Sequence, residues 1–181
     1  VFAGRNKAAA GVGNELWGSN GNSVWLVADI RAGSADSGPT AFSVDSGTLH
    51  FLATTTSTGK LGMLSTDGTV GSIIDDGTIL ASVAADPIDL DHFQGLVVDS
   101  NYFVAVDDHS GSATALKLFS SNDGTPTEIL AVNPYAGARL DALTEVDGHL
   151  VFHVRQFNDP TTTSEIYISD GTLARTRSLH E

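Results

Sequence analysis

The sequence predicts an all-β fold built from four-stranded antiparallel units, and three observations predict it. Hydrophobic residues run into a Gly-centred turn four times: at Glu15-Leu16-Trp17-Gly18-Ser19-Asn20-Gly21-Asn22, at Gly62 to Thr69, at Lys117 to Thr125 and at Glu165 to Thr172. The turn is Asn-Gly once and Asp-Gly three times, the dipeptides that tight hairpins favour because their central residues need positive φ. The turn glycines Gly21, Gly68, Gly124 and Gly171 recur at separations of 47, 56 and 47 residues, and Phe2, Phe51, Phe103 and Phe152 keep the same beat at 49, 52 and 49. Composition agrees: 19 Gly and only 17% charged residues describe short strands joined by many turns, and 41% hydrophobic residues suffice for a core.

Taken in order, Val1 to Gly4 reads as a strand and Arg5 to Gly13 as a loop of Ala and Gly. Asn14 to Ser19 and Val24 to Ile30 flank the first turn as strands, Ala32 to Pro39 is loop by its Gly, Ser and Pro content, and Ala41 to Asp45 closes the unit before Ser46-Gly47. The second unit offers Leu49 to Thr54, Leu61 to Ser65, Ser72 to Asp75 and Gly95 to Val98. The third offers Tyr102 to Val106, Ala115 to Ser120, Thr127 to Val132 and Leu140 to Val146. The fourth has Leu150 to Arg155, Glu165 to Ile168 and Thr176 to Leu179, and lacks its last strand. The expected units are therefore 1–47, 48–101, 102–148 and 149–181, with extra residues between Asp75 and His92 and at Asn122. No helical stripe of useful length is present. Period, strand count and turn chemistry together favour a β-propeller-like array of blades, with a β-solenoid or sandwich array as the alternative. The chain opens inside an apolar run and stops partway through a unit, which predicts a segment of a longer polypeptide whose missing partner is more chain or another subunit.

Glu15-Leu16-Trp17, together with Ser169-Asp170-Gly171-Thr172, resembles the ELWxxDGT repeat of large exported bacterial proteins. Asp29-Ile30-Arg31-Ala32-Gly33-Ser34 is similar to the Asp-Ile-x-x-Gly-Ser segment of those repeats, and Val132 to Gly137 echoes it. The second and third hairpins have lost the Glu and the Trp. The resemblance implies a propeller-like protein that is secreted, periplasmic or at the cell surface, and it brings no catalytic residue.

Charge excludes some functions. Nine Lys and Arg against 22 Asp and Glu give a formal charge of −13, which disfavours nucleic acid and anionic membrane surfaces. No apolar run of membrane-spanning length occurs, so no membrane insertion is expected. With no Cys, disulfides, thiolate metal sites and cysteine nucleophiles are excluded. No cofactor is expected on motif grounds.

The Asp-Gly-Thr turns are the first candidate site. Asp67, Asp123 and Asp170 could offer oxygens to Ca²⁺, which takes six to eight hard ligands; the structural reading is that Asp before Gly bonds nearby backbone N–H groups. The turns depart from a sialidase-type Asp-box, since Asp and Gly are adjacent and no Trp follows. Acidic loop clusters come second: Asp75, Asp76, Asp89, Asp91 and His92, then Asp107, Asp108 and His109, are either a binding surface for protein or glycan, with His and Asp as candidate metal ligands, or solvated acidic loops. Tyr135, the tyrosine placed in a loop, could stack on a sugar. Trp17 and Tyr167 fall mid-strand, where packing is the expected use, and mark the repeat with Gly21, Gly68, Gly124 and Gly171. His149 and His153 share a strand face. The leading expectation is a non-enzymatic scaffold whose neighbours are further blades or subunits and whose loops bind protein or glycan; a propeller polysaccharide hydrolase or lyase and a Ca²⁺-dependent adhesin module are the alternatives.

Overall fold

The computed structural model describes residues 1–5, 11–55, 59–80, 93–108, 115–122, 124–132, 138–156 and 164–180. They form four antiparallel sheets. The first contains β1 (Phe2–Gly4), β2 (Glu15–Ser19) and β3 (Val24–Ala28), side by side in that order. The second contains β4 (Thr40–Asp45), β5 (Thr48–Thr54), β6 (Leu61–Thr66) and β7 (Ile74–Leu80). The third contains β8 (Gln94–Val98), β9 (Asn101–Asp108), β10 (Ala115–Asn122) and β11 (Thr125–Val132). The fourth contains β12 (Ala138–Val146), β13 (His149–Gln156), β14 (Glu165–Ser169) and β15 (Arg177–Ser178), and a single 3₁₀ turn at Leu173–Arg175 precedes β15.

All-β sheets of three to four antiparallel strands are as expected; their grouping is not. The strands expected to close the first three units instead open the next sheet, because Ser46-Gly47, Asp99-Ser100 and Asp147-Gly148 are two-residue turns. Their φ values are 48° and 87°, 48° and 61°, and 52° and 73°. Two consecutive residues at positive φ make the turn whose twist matches that of the strands it joins, so β4 pairs with β5, β8 with β9 and β12 with β13. The fourth sheet consequently has its four strands, and the three-stranded sheet is the first.

Register carries the repeat to the residue. Phe2 lies opposite Trp17, Phe51 opposite Leu64 and Phe152 opposite Tyr167. In the third sheet Val104, not the expected Phe103, lies opposite Phe119. Phe103 sits one place nearer the turn, and a one-residue shift sends a strand side chain to the other face. A bulge interrupts the next pairing at the same place in three sheets, between Leu16 and Trp17, Met63 and Leu64, and Leu118 and Phe119.

The chain divides into two compact units, Val1–Leu90 and Asp91–Glu181. In the first, Leu16 and Val27 of one sheet meet Leu49, Phe51, Ala53 and Leu64 of the other, flanked by Trp25, Ile30 and Ile73. In the second, Phe103, Ala105, Leu116 and Leu118 meet Leu140, Leu150, Phe152 and Val154. Alternation assigns these faces: along β13, Leu150, Phe152 and Val154 are buried while His149 and Arg155 on the opposite face are exposed. Each large side chain fully removed from water contributes about 2 kcal/mol.

Candidate functional site

Glu15 on β2 is completely buried. Its carboxylate accepts from the backbone N–H of Ile30 (2.8 Å), of Arg31 (3.4 Å) and of Ser37 (3.1 Å), and from the Ser37 hydroxyl (2.6 Å). Burial pushes its pKa up against the opposing pull of those donors, Ser37 first. The loop it gathers is held from outside as well. Asp29 accepts from Gly33 N–H (3.1 Å), and Asp36 accepts from Asn14 N–H (2.7 Å) and pairs with Arg5. The Asn14 bond leads the causes that lower the Asp36 pKa. Thr54 N–H on β5 donates to Ser37 O (2.8 Å), so the loop connects to the second sheet. The Glu-Leu-Trp and Asp-Ile-x-x-Gly-Ser elements thus meet as two sides of one loop anchor. In the sequence Glu15 stands out only within the Glu-Leu-Trp motif; the signal of its role is a Glu inside an otherwise apolar strand, ahead of a loop whose backbone donors need acceptors.

The hairpin turns share one bonding scheme. Asp67 Oδ1 accepts from Thr69 N–H (2.9 Å) and Thr69 Oγ1 (2.7 Å); Asp170 Oδ1 accepts from Thr172 N–H (3.0 Å) and Thr172 Oγ1 (2.7 Å). The residue before the Asp takes the Gly N–H: Thr66 from Gly68 and Ser169 from Gly171, each at 3.0 Å. In the first turn Ser19 accepts from Gly21 N–H (3.1 Å), and Asn20 accepts from Asn22 N–H (3.0 Å) and Ser23 N–H (2.9 Å). Hydrogen bonding from Ser72 and then Thr69 pulls the Asp67 pKa down to about 2. Asp170 is lowered too, first by the Thr172 hydroxyl, and Arg175 stands 3.5 Å from its other oxygen.

Within each unit one sheet reaches across to the next sheet's turn. The Trp25 indole lies over Gly18 and donates to Gly68 O (3.2 Å). Ser120 Oγ donates to Gly171 O (2.6 Å). Gly18 is required by this close approach, since a Cβ there would stand 2.4 Å from Trp25 Cε2.

The expected site residues divide as follows. Asp75 and Asp76 lie in β7, not in a loop. Asp75 is exposed, whereas Asp76 turns inward to accept from Ser65 Oγ (3.3 Å), and burial raises its pKa. Asp107 and Asp108 end β9 opposite Leu116 and Ala115. Asp89, Asp91, His92, His109, Asp123 and Tyr135 lie outside the described residues. Trp17 is buried and donates to Gly4 O (2.9 Å), while Tyr167 stacks on Phe152 with centroids 5.3 Å apart and its hydroxyl donates to Glu165 (2.8 Å). Among the described residues no three His, Asp or Glu side chains gather as a metal group would. Surface depressions are present among the described residues. One of about 360 Å³ is lined by Phe2, Gly4, Arg5, Trp17 and Val24; another, about 280 Å³, by His149, Ile168, Asp170, Ala174, Arg175 and Arg177.

No protein-family model matches the chain, and no curated protein or solved structure matches it. No helix among the described residues is long and apolar enough to cross a membrane.

Proposed function

We propose that the chain is a non-enzymatic, β-propeller-like scaffold of an exported or surface-associated bacterial protein, whose loops meet protein or glycan partners. One observation carries the reading: the polar residues that define the repeat are spent on the fold. Asn20, Asp67 and Asp170 each accept from backbone N–H groups or hydroxyls of their own turn, and Glu15 accepts from those of the loop that follows β3. A general acid or base needs a free face toward a substrate proton, and these groups are already engaged. A repeat whose polar positions build turns leaves specificity to the loops between strands.

The test is incubation with a panel of acidic and neutral polysaccharides, reading binding by glycan array and turnover by release of reducing ends or unsaturated uronates. Retention of some glycan or protein ligand without turnover is expected. Product release that scales with protein concentration overturns the reading in favour of a hydrolase or lyase.

A further inference from the structure

We propose that the outward face of the fourth sheet docks against the outward face of the first sheet of a second copy of this chain, head to tail, with Arg177 donating a hydrogen bond at the contact. The proposal rests on the scaffold reading above and names its partner.

Strand register makes positions in the four sheets comparable. Leu16, Met63, Leu118 and Ile166 each immediately precede the residue paired with the marker position of the neighbouring strand. The first three are 0% or, for Met63 and Leu118 likewise, 0% exposed, whereas Ile166 is 50% exposed. On the opposite face the marker position is held by Phe2, Phe51, Val104 and Phe152. Phe51 and Val104 are 0% and Phe152 1% exposed, whereas Phe2 is 42% exposed. Leu16 with Phe51, and Leu118 with Phe152, lie in the cores where the two sheets of a unit meet, whereas the same positions are wet at Ile166 and Phe2. Val146 and Ile168 extend the first face; Trp17 and Val24 extend the second, around the depression at Phe2.

The internal contact supplies the template for the join. Gly18 is paired with Trp25, whose indole N–H reaches the Gly68 carbonyl in the next sheet's turn. In the fourth sheet the corresponding pair is Ile168 and Arg177. Arg177 thus stands where Trp25 stands, exposed, with donors in place of the indole N–H. The acceptor offered by a second copy is the Gly21 carbonyl of its Asn20-Gly21 turn, the counterpart of Gly68. Because the two surfaces differ, the contact is heterologous, and each added copy leaves one face of each kind open unless a ring closes.

Sedimentation velocity over a concentration series tests this. The mean mass of the wild-type chain is expected to rise above 18.8 kDa with concentration. Ile166→Asp and Phe2→Asp, each at an exposed position, are expected to hold the chain at 18.8 kDa with an unchanged far-UV spectrum. Mixed in equal amounts, the two variants keep one intact face each and are expected to form dimers and nothing larger. Arg177→Ala is expected to weaken association about tenfold, one lost hydrogen bond. Should either aspartate variant lose its spectrum, Val146→Asp or Val24→Asp probes the same face. A wild-type chain that stays monomeric at every concentration overturns the docking, and so does a mixture of the two variants that fails to dimerise. Either result leaves the scaffold reading standing, which only turnover of a substrate removes.

Discussion

Glu15 shows how a charged residue earns a place in a core. Its carboxylate accepts from three backbone N–H groups and one hydroxyl, and shares the two Ser37 donors with the Asn14 carbonyl. Glu15→Ala takes the acceptor from the Ile30 and Arg31 N–H groups and empties a buried site, and is expected to cost about 3 kcal/mol in urea unfolding. The sign of its pH effect opposes that of the turn aspartates. Because the Glu15 pKa is raised above 4.5, stability falls as pH rises from 4.5 through the raised value and is level above it. Asp67 is lowered from 3.8 to about 2, so its contribution is complete above 3.8 and is lost as pH falls toward 2. Asp67→Asn retains the turn acceptor, as Asn20 does in the first hairpin, but cannot titrate. The wild type is therefore expected to lose stability more steeply than the variant between those two values, read from urea midpoints across acid pH. Asp67 and Asp170 already have donors within their turns, so chelation with EDTA is expected to leave Tm unchanged. A fall in Tm would assign Ca²⁺ to the fold.

Strands pair through turns, and the turns set what the sequence disclosed. Asn20-Gly21, Asp67-Gly68 and Asp170-Gly171 were legible because their chemistry is local: an Asx side chain bonds two or three residues ahead. The grouping of strands was less legible, since Ser46-Gly47 and Asp99-Ser100 serve equally as a boundary or a tight hairpin until their φ values are known. The bulge at β4 and β5, with Ala41 at φ 55°, recurs at β12 and β13 with Ala142 at φ 55°, although no glycine announces either. Contacts between sheets were illegible. Gly18 was one of many glycines, and only the indole of Trp25 lying over it shows why a side chain is excluded. Gly18→Ala is expected to displace Trp25 from Gly68 and cost about 2 kcal/mol, read by urea unfolding together with a shift in tryptophan emission.

At −13, the chain works against its own charge. Repulsion among 22 carboxylates opposes compaction, against which stand ion pairs such as those at Asp36, Glu128 and Asp170. Thermal melts are therefore expected to move upward as NaCl rises to about 0.5 M, where the screening length is only a few ångströms. A Tm that falls with salt would mean that these pairs outweigh the repulsion. The expected site residues were harder to place than the fold, since loop acids carry no periodicity, and of those described Asp76 proved to be an inward strand residue bonded to Ser65.

Period, strand character and turn chemistry followed from the order of residues, because each depends on neighbours a few positions apart. Which strands share a sheet followed from backbone φ at two-residue turns; that Val104 rather than Phe103 holds the third marker position, and that Glu15 is a buried anchor, followed from packing. The latter outcomes depend on groups far apart in the chain, such as Glu15 with Ser37 or Trp25 with Gly68, whose meeting no local pattern encodes.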